Sequence, residues 1–137
     1  MLENIELVYE LSEEQVECLV TLYQSESWSK NRKINDIKKM LHSSWIVGLI
    51  NKDNGHLVAF ARVLSDFTYR AFIYDVIVAK EYRGLGLGRD IVKSILNHDL
   101  FKDLERIELN CLDHNVLFYE KLGFSKVPQG TNMMRYA

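Results

Sequence analysis

Proline occurs once in the 137 residues, at Pro128, and no stretch is biased toward glycine, serine or proline. That excludes a flexible or polyproline linker, so residues 1–137 are expected to form a single domain. Cysteine is scarce. Cys18 and Cys111 are far apart and share no metal-ligand spacing, so no metal site is expected, and reduced thiols in a cytoplasmic setting are the simplest reading. Long apolar runs are absent as well. "WIVGLI" (45–50) is the longest and is too short to span a bilayer, and "MLENIELVYE" has neither a basic region nor an apolar core, so no signal peptide and no membrane partner are expected. Excess positive charge is missing. A net charge of −2 argues against nucleic acid as a partner.

What remains is ordinary globular material, 47% hydrophobic and 26% charged, enough for a core without staples. "IELVY" (5–9) reads as a first strand. "SEEQ" (12–15) is a capping box, and Val16, Leu19, Val20 and Tyr23 follow at helical spacing. "SESWSKNRK" (25–33) is a polar loop, and "INDIKKML" (34–41) a second helix. "WIVGLINK" (45–52) and "HLVAFARVLS" (56–65) flank the hairpin signal "DNG". "AFIYDVIVA" (71–79) is apolar on both faces, as a central strand is. A helix carrying Ile91, Val92, Ile95 and Leu96 follows, then a strand "RIELNCL" (106–112), then the helix "NVLFYEKL" (115–122) closed by Gly123. "FSKVP" and "TNMMRY" read as one or two final strands. The order predicts an α/β fold, an antiparallel meander followed by a parallel strand–helix–strand unit.

"EYRGLGLGRD" (81–90) places three glycines on alternate positions between a buried strand and a helix. A helix N-terminus presents unpaired N–H groups and partial positive charge, and glycine lets a phosphate come close to them. Arg83 and Arg89 add charge-assisted donors. A Walker loop is excluded because Gly88 is followed by Arg89 and Asp90 rather than Lys-Ser/Thr. A Rossmann fingerprint fits poorly, because Gly84-x-Gly86-x-Gly88 is not G-x-G-x-x-G and four residues separate it from the strand.

"VIVAKEYRGLGLGRDIV" resembles the acetyl-CoA-binding motif of the GNAT-type N-acetyltransferases, whose Arg/Gln-x-x-Gly-x-Gly/Ala pattern is met by Arg83, Gly84, Leu85, Gly86, Leu87 and Gly88. "FYEKLGF" (118–124) resembles the family's C-terminal helix-to-strand motif. The resemblance implies a mixed, mostly antiparallel sheet of six to seven strands with about four helices, splayed after the fourth strand. It also implies acetyl transfer from acetyl-CoA to a primary amine of a small molecule or peptide, by direct attack in a ternary complex. It further implies a pyrophosphate on the Arg83–Gly88 turn and Arg89, and a pantetheine arm paired with Val76, Ile77 and Val78, where the N–H of Ile77 or Val76 polarises the thioester carbonyl.

Tyr119 matches the family's general acid. Asp75, a carboxylate inside an apolar strand, is either the general base or one half of an ion pair with Arg62 or Arg70. His114, at the start of the last helix, is the weaker base candidate. The family's asparagine two turns before the tyrosine is replaced by Leu112, with Asp113 or Asn115 as substitutes from a shifted register; Asn115 is carried as a cofactor contact. Trp28 and Arg32, with Tyr69 from the later strand connection, are assigned to the acceptor. Trp28 is either a cation–π surface or a core lid. A homodimer is compatible with the family. A non-catalytic acyl-CoA-binding module and a Rossmann-like domain stand as alternatives.

Overall fold

In the computed structural model, described here for residues 2–136, five strands form one sheet in sequence order. β1 (Ile5–Val8), β2 (Trp45–Asn51), β3 (Leu57–Ser65) and β4 (Arg70–Val78) run antiparallel to one another, and β5 (Arg106–Leu109) is parallel to β4. The crossover from β4 to β5 is α3 (Leu87–Leu96), as a parallel connection requires. α1 (Glu13–Gln24) and α2 (Ile34–Ser43) separate β1 from β2, and α4 (Val116–Glu120) follows β5.

The capping box forms as the sequence requires. Gln15 N donates to Ser12 Oγ at 3.2 Å, and Ser12 N donates to Gln15 Oε1 at 3.0 Å. The heptad spacing of α1 then buries Leu19 and Tyr23 completely. They meet Ile37 of α2, with Phe60 and Ile77, on one face of the sheet. On the other face, Leu87, Ile91 and Ile95 of α3 pack on Val47, Ala59, Ala61 and Val63. Covering both faces buries β3 almost continuously, which is why its sequence shows no polar alternation.

Two expectations are corrected. The sheet has five strands among the described residues, because 125–136 form no strand. Val127, Met133, Met134 and Tyr136 of that segment are all exposed, so no packed face favours extended pairing. The strand expected over 106–112 stops at Leu109, its last residue paired with β4.

That early stop shapes the molecule. β4 and β5 pair from Arg70↔Arg106 to Ile73↔Leu109, and β4 continues alone on that side to Val78. β4 also bulges. Tyr74 faces Arg62 and Ile77 faces Phe60, so Asp75 and Val76 together oppose the single residue Ala61. Asp75 takes φ +57°, a left-handed conformation that Asp tolerates better than most residues.

Candidate active site around the open edge of the fourth strand

A single-turn 3-10 helix, Lys80–Tyr82, links β4 to the glycine-rich turn. Asn51, buried at the end of β2, pins it by donating from Nδ2 to Tyr82 Oη at 2.8 Å. Arg83 is tied down as well. Its Nε donates to the Val78 carbonyl at 3.1 Å, and its Nη2 meets Glu26 Oε1 at 2.8 Å. Its guanidinium therefore braces the turn against β4 and the loop after α1.

Beyond Arg83 the backbone is bent by glycine. Gly84 and Gly86 hold φ +78° and +84°, where a Cβ is strained. Leu87 is buried and anchors the turn to the core, whereas Leu85 points outward. Gly88 sits where a Cβ would lie 3.4 Å from Phe118 and 3.7 Å from Val78, so its smallness draws the start of α3 close to both α4 and β4. Arg89 folds back over Gly86, its Nη2 2.8 Å from where a Cβ would stand. The N–H groups of Gly84, Leu85, Gly86, Leu87, Gly88 and Arg89 find no acceptor among the described residues; the next donor, Asp90 N, closes the first helical turn on Gly86 O. This cluster of orphan donors at a helix N-terminus suits a phosphate.

The open edge of β4 leads up to it. Ala79 N donates to Val58 O at 2.8 Å, on the β3 side. Strand alternation turns Ile77 N–H the same way, leaving Val76 and Val78 to face the splay. Val76 and Val78 are half-buried and Ile77 is buried, so the expected trio is divided between the two sides of the strand.

Tyr119 stands on α4, whose Phe118 reaches the head of α3 near Val78. Its ring packs against Phe118 and Phe124, at 4.9 and 5.8 Å between centroids. Burial, with a smaller contribution from the charge of Cys111, pushes its phenol up to about 12. The hydroxyl has no hydrogen-bond partner among the described residues and stays protonated at neutral pH. Asn115 lies one turn earlier, half-buried at the base of α4, with its side chain not engaged in capping. Leu112, Asp113 and His114 are exposed beside it.

Asp75 is held by three donors on one oxygen. Arg62 Nε and Arg32 Nη1 reach its Oδ2 at 2.7 Å each, and Tyr23 Oη at 2.9 Å. Burial alone raises its carboxyl, but hydrogen bonds from Arg62 and Arg32 outweigh that and hold it below the usual range. Of the two readings open for Asp75, the geometry is that of the ion pair, and a carboxylate held so low is a weak base. Arg62 is one partner, as expected. Arg70 is not; it reaches Glu105 and Glu108 across the β4–β5 pair. The Tyr23 phenol is raised, first by burial and then by Asp75.

Trp28 and Arg32 join this cluster. The Arg32 guanidinium lies 4.8 Å from the Tyr23 ring centroid and 5.5 Å from that of Trp28. Trp28 is 49% exposed, so it is a surface over a cation rather than a core lid. Tyr69 does not join them. It sits in the β3–β4 connection, where Asp66 Oδ1 accepts from its N–H and Phe67 stacks on Phe101 beyond the far end of α3. Seven residues of strand, roughly 23 Å, separate it from Val76. Tyr23 and Glu26 were not singled out from the sequence. Tyr23 occupies a core position of its helix, and Glu26 is one of several charges in a polar loop.

The comparisons agree with this geometry. Residues 8–124 match the Acetyltransferase (GNAT) family. The uncharacterized N-acetyltransferase ycf52 of Porphyra purpurea is 38% identical over 124 residues, a match covering 85% of this chain and 68% of that protein. Histone acetyltransferase TAP1 of Glycine max is 31% identical over 126 residues, covering 85% of this chain and 54% of its own length. A crystal structure from Xanthomonas campestris pv. campestris, described as belonging to the GNAT family, superposes with a TM-score of 0.83 at 27% identity, covering 97% of this chain and 93% of that one. A splayed sheet, orphan donors at the head of α3 and a matched family profile converge on one statement: this chain belongs to the GNAT family of acetyltransferases.

Proposed function

We propose that this chain transfers an acetyl group from acetyl-CoA to the primary amine of a small molecule or peptide, by direct attack within a ternary complex. The observation that carries the reading is the continuity of two features, the orphan N–H groups of residues 84–89 and the edge of β4 at Val76 and Val78 that β5 does not pair, where Arg83 Nε meets the Val78 carbonyl. One suits a pyrophosphate and the other an extended amide-bearing arm. Acetyl-CoA has both, and when bound it supplies an activated acyl thioester.

The residues then divide the work. Gly84–Arg89 hold the phosphates, with Arg83 bracing the turn. The N–H of Val76, set outward by the bulge, donates to the carbonyl oxygen as negative charge develops there. Tyr119 stands on the thiol side. Its phenol, at about 12, lies above a thiol at about 8.5, so complete proton transfer to the leaving sulfur is uphill. Tyr119 therefore acts chiefly by donating a hydrogen bond to that sulfur. Asp75 is a weak base, so rate follows deprotonation of the acceptor amine itself. The soybean relative is named for histone, which keeps polypeptide amines within the acceptor range. A cytoplasmic setting remains part of the proposal.

Calorimetric titration with acetyl-CoA, with NADH as control, tests the donor, and thiol release over an amine panel tests the reaction. Acetyl-CoA binding that is lost in Gly86→Glu, together with amine-dependent thiol release, supports the reading. No acetyl-CoA binding in the wild type sinks it.

A further inference from the structure

Arg32 and Arg62 are prepared for more than Asp75. Each uses one donor on Asp75 Oδ2, Nη1 for Arg32 and Nε for Arg62. Nη2 of Arg32 and both Nη groups of Arg62 have no hydrogen-bond partner among the described residues. Both arginines line a recess of about 210 Å³, completed by Asp36, Ile37 and Met40 of α2. The recess adjoins the β4 bulge, because Asp75, which both arginines grip, directly precedes Val76.

The two heads are also rigidly aimed. Arg32 packs against both Tyr23 and Trp28, whose rings stand perpendicular to each other, and Arg62 lies over Tyr74 at 4.8 Å. A guanidinium fixed in this way loses little freedom when it binds a carboxylate or phosphate with its remaining fork. Two cations against the single carboxylate of Asp75 leave one positive charge on this wall. Asp36, also in the lining, brings the sum of the four groups to zero. A bare polyanion is therefore disfavoured, and a ligand bearing one anionic group beside an amine is matched.

We propose that Arg32 and Arg62 form a subsite for an anionic group on the acceptor, so that the preferred acceptor is a zwitterionic amine carrying a carboxylate or phosphate. This rests on the acetyltransferase reading for the amine's fate, but the recognition is a separate property. The anionic group is held in the recess by the free Nη donors, and the amine is left toward Val76. Arg32 and Arg62 are specificity-determining residues; Asp75 is a positioning residue that fixes their angle.

The experiment compares matched probes by calorimetry in the presence of CoA, then by turnover with acetyl-CoA. Tyrosine is set against tyramine, which lacks the carboxylate, and against 3-(4-hydroxyphenyl)propionate, which lacks the amine. Phosphoethanolamine is set against ethanolamine. The expected result is at least about tenfold tighter binding of tyrosine than of either analogue. In Arg32→Gln the tyrosine-to-tyramine ratio of kcat/KM should fall toward one, through KM rather than kcat, and Arg32→Lys should recover part of it. Met40→Trp, which fills the recess while keeping every member of the Asp75 cluster, should erase the same preference and guards against misfolding of the arginine variant. Preference for phosphoethanolamine alone supports the subsite with phosphate as its anion. Equal binding of tyrosine and tyramine, together with equal binding of phosphoethanolamine and ethanolamine, overturns it. Tight tyrosine binding without any acetyl transfer upholds the subsite while removing the acetyltransferase reading.

Discussion

The two ends of the β4 bulge region are built from opposite materials. Downstream, the turn at 84–89 is one contiguous stretch whose working groups are backbone donors. Upstream, the Asp75 cluster is assembled from side chains of α1, the α1–α2 loop, β3 and β4, 52 residues apart at the widest, and its backbone contributes only the bulge. The turn is open and leaves its polar groups unmatched by protein. The cluster is half-buried, pairs its one carboxylate internally and keeps one positive charge in excess. The turn therefore suits ligand binding at little cost to folding, whereas the cluster ties stability to the acceptor side. Substitutions in the two should separate binding from stability.

The largest effect on that separation is expected at Asp75. Asp75→Ala leaves Arg62 with no carboxylate in a site where the side chain is only 15% exposed, and should destabilise by about 3 kcal/mol. Urea denaturation measures it, and a loss below about 1 kcal/mol would mean that solvent screens the cluster. Gly86→Glu should weaken acetyl-CoA at least about a hundredfold, since it sets a carboxylate among the phosphate donors. Gly84→Ala is its control. A Cβ there has open space but the same positive φ, so it should cost about 1 kcal/mol of stability and little affinity. If both variants lose affinity alike, strain rather than charge governs the turn.

Tyr119→Phe should lower kcat about tenfold with KM for acetyl-CoA nearly unchanged. An unchanged kcat would assign the tyrosine to packing with Phe118 and Phe124. The smallest effect is on pH dependence. The Asp75 carboxyl titrates lower in the folded chain than unfolded, so its stabilisation is complete above about pH 4 and disappears as pH falls through the lowered value. Urea midpoints should fall below about pH 4 in the wild type, and less steeply in Asp75→Asn. Parallel curves would show that other carboxylates dominate acid unfolding.

The turn was legible in the sequence because its function is local. Gly84, Gly86 and Gly88 at alternate positions report backbone geometry directly, and the strand before them and helix after them follow from periodicity. Arg83 was legible as a motif residue but not as a brace, because its partner Glu26 lies 57 residues away. Asp75 stood out as a carboxylate in an apolar strand. The left-handed turn it takes at the bulge did not, since nothing local distinguishes a buried ion-pair Asp from a bulge-forming one. Tyr69 was misplaced because a residue adjoining a functional strand can lie at its far end. The final strands expected over 124–136 failed for another reason. β-branched and aromatic composition marks a strand only where a surface exists to pack on, and beyond Phe124, which packs on the core, these side chains stay exposed.

By itself the sequence determined the elements from β1 to α4 except where β5 ends, the phosphate-suited turn and the family, since each depends on residues close together in the chain. Helical and strand periods, a capping box and glycine spacing act over one to four residues, so they survive without the fold. Only the tertiary structure decided where β4 and β5 part, which N–H groups of β4 face the gap, and how Asp75 gathers Tyr23, Arg32 and Arg62. Those depend on strand register and on distances between remote segments, which hydrophobic packing of α1 and α2 on one face and α3 on the other fixes all at once.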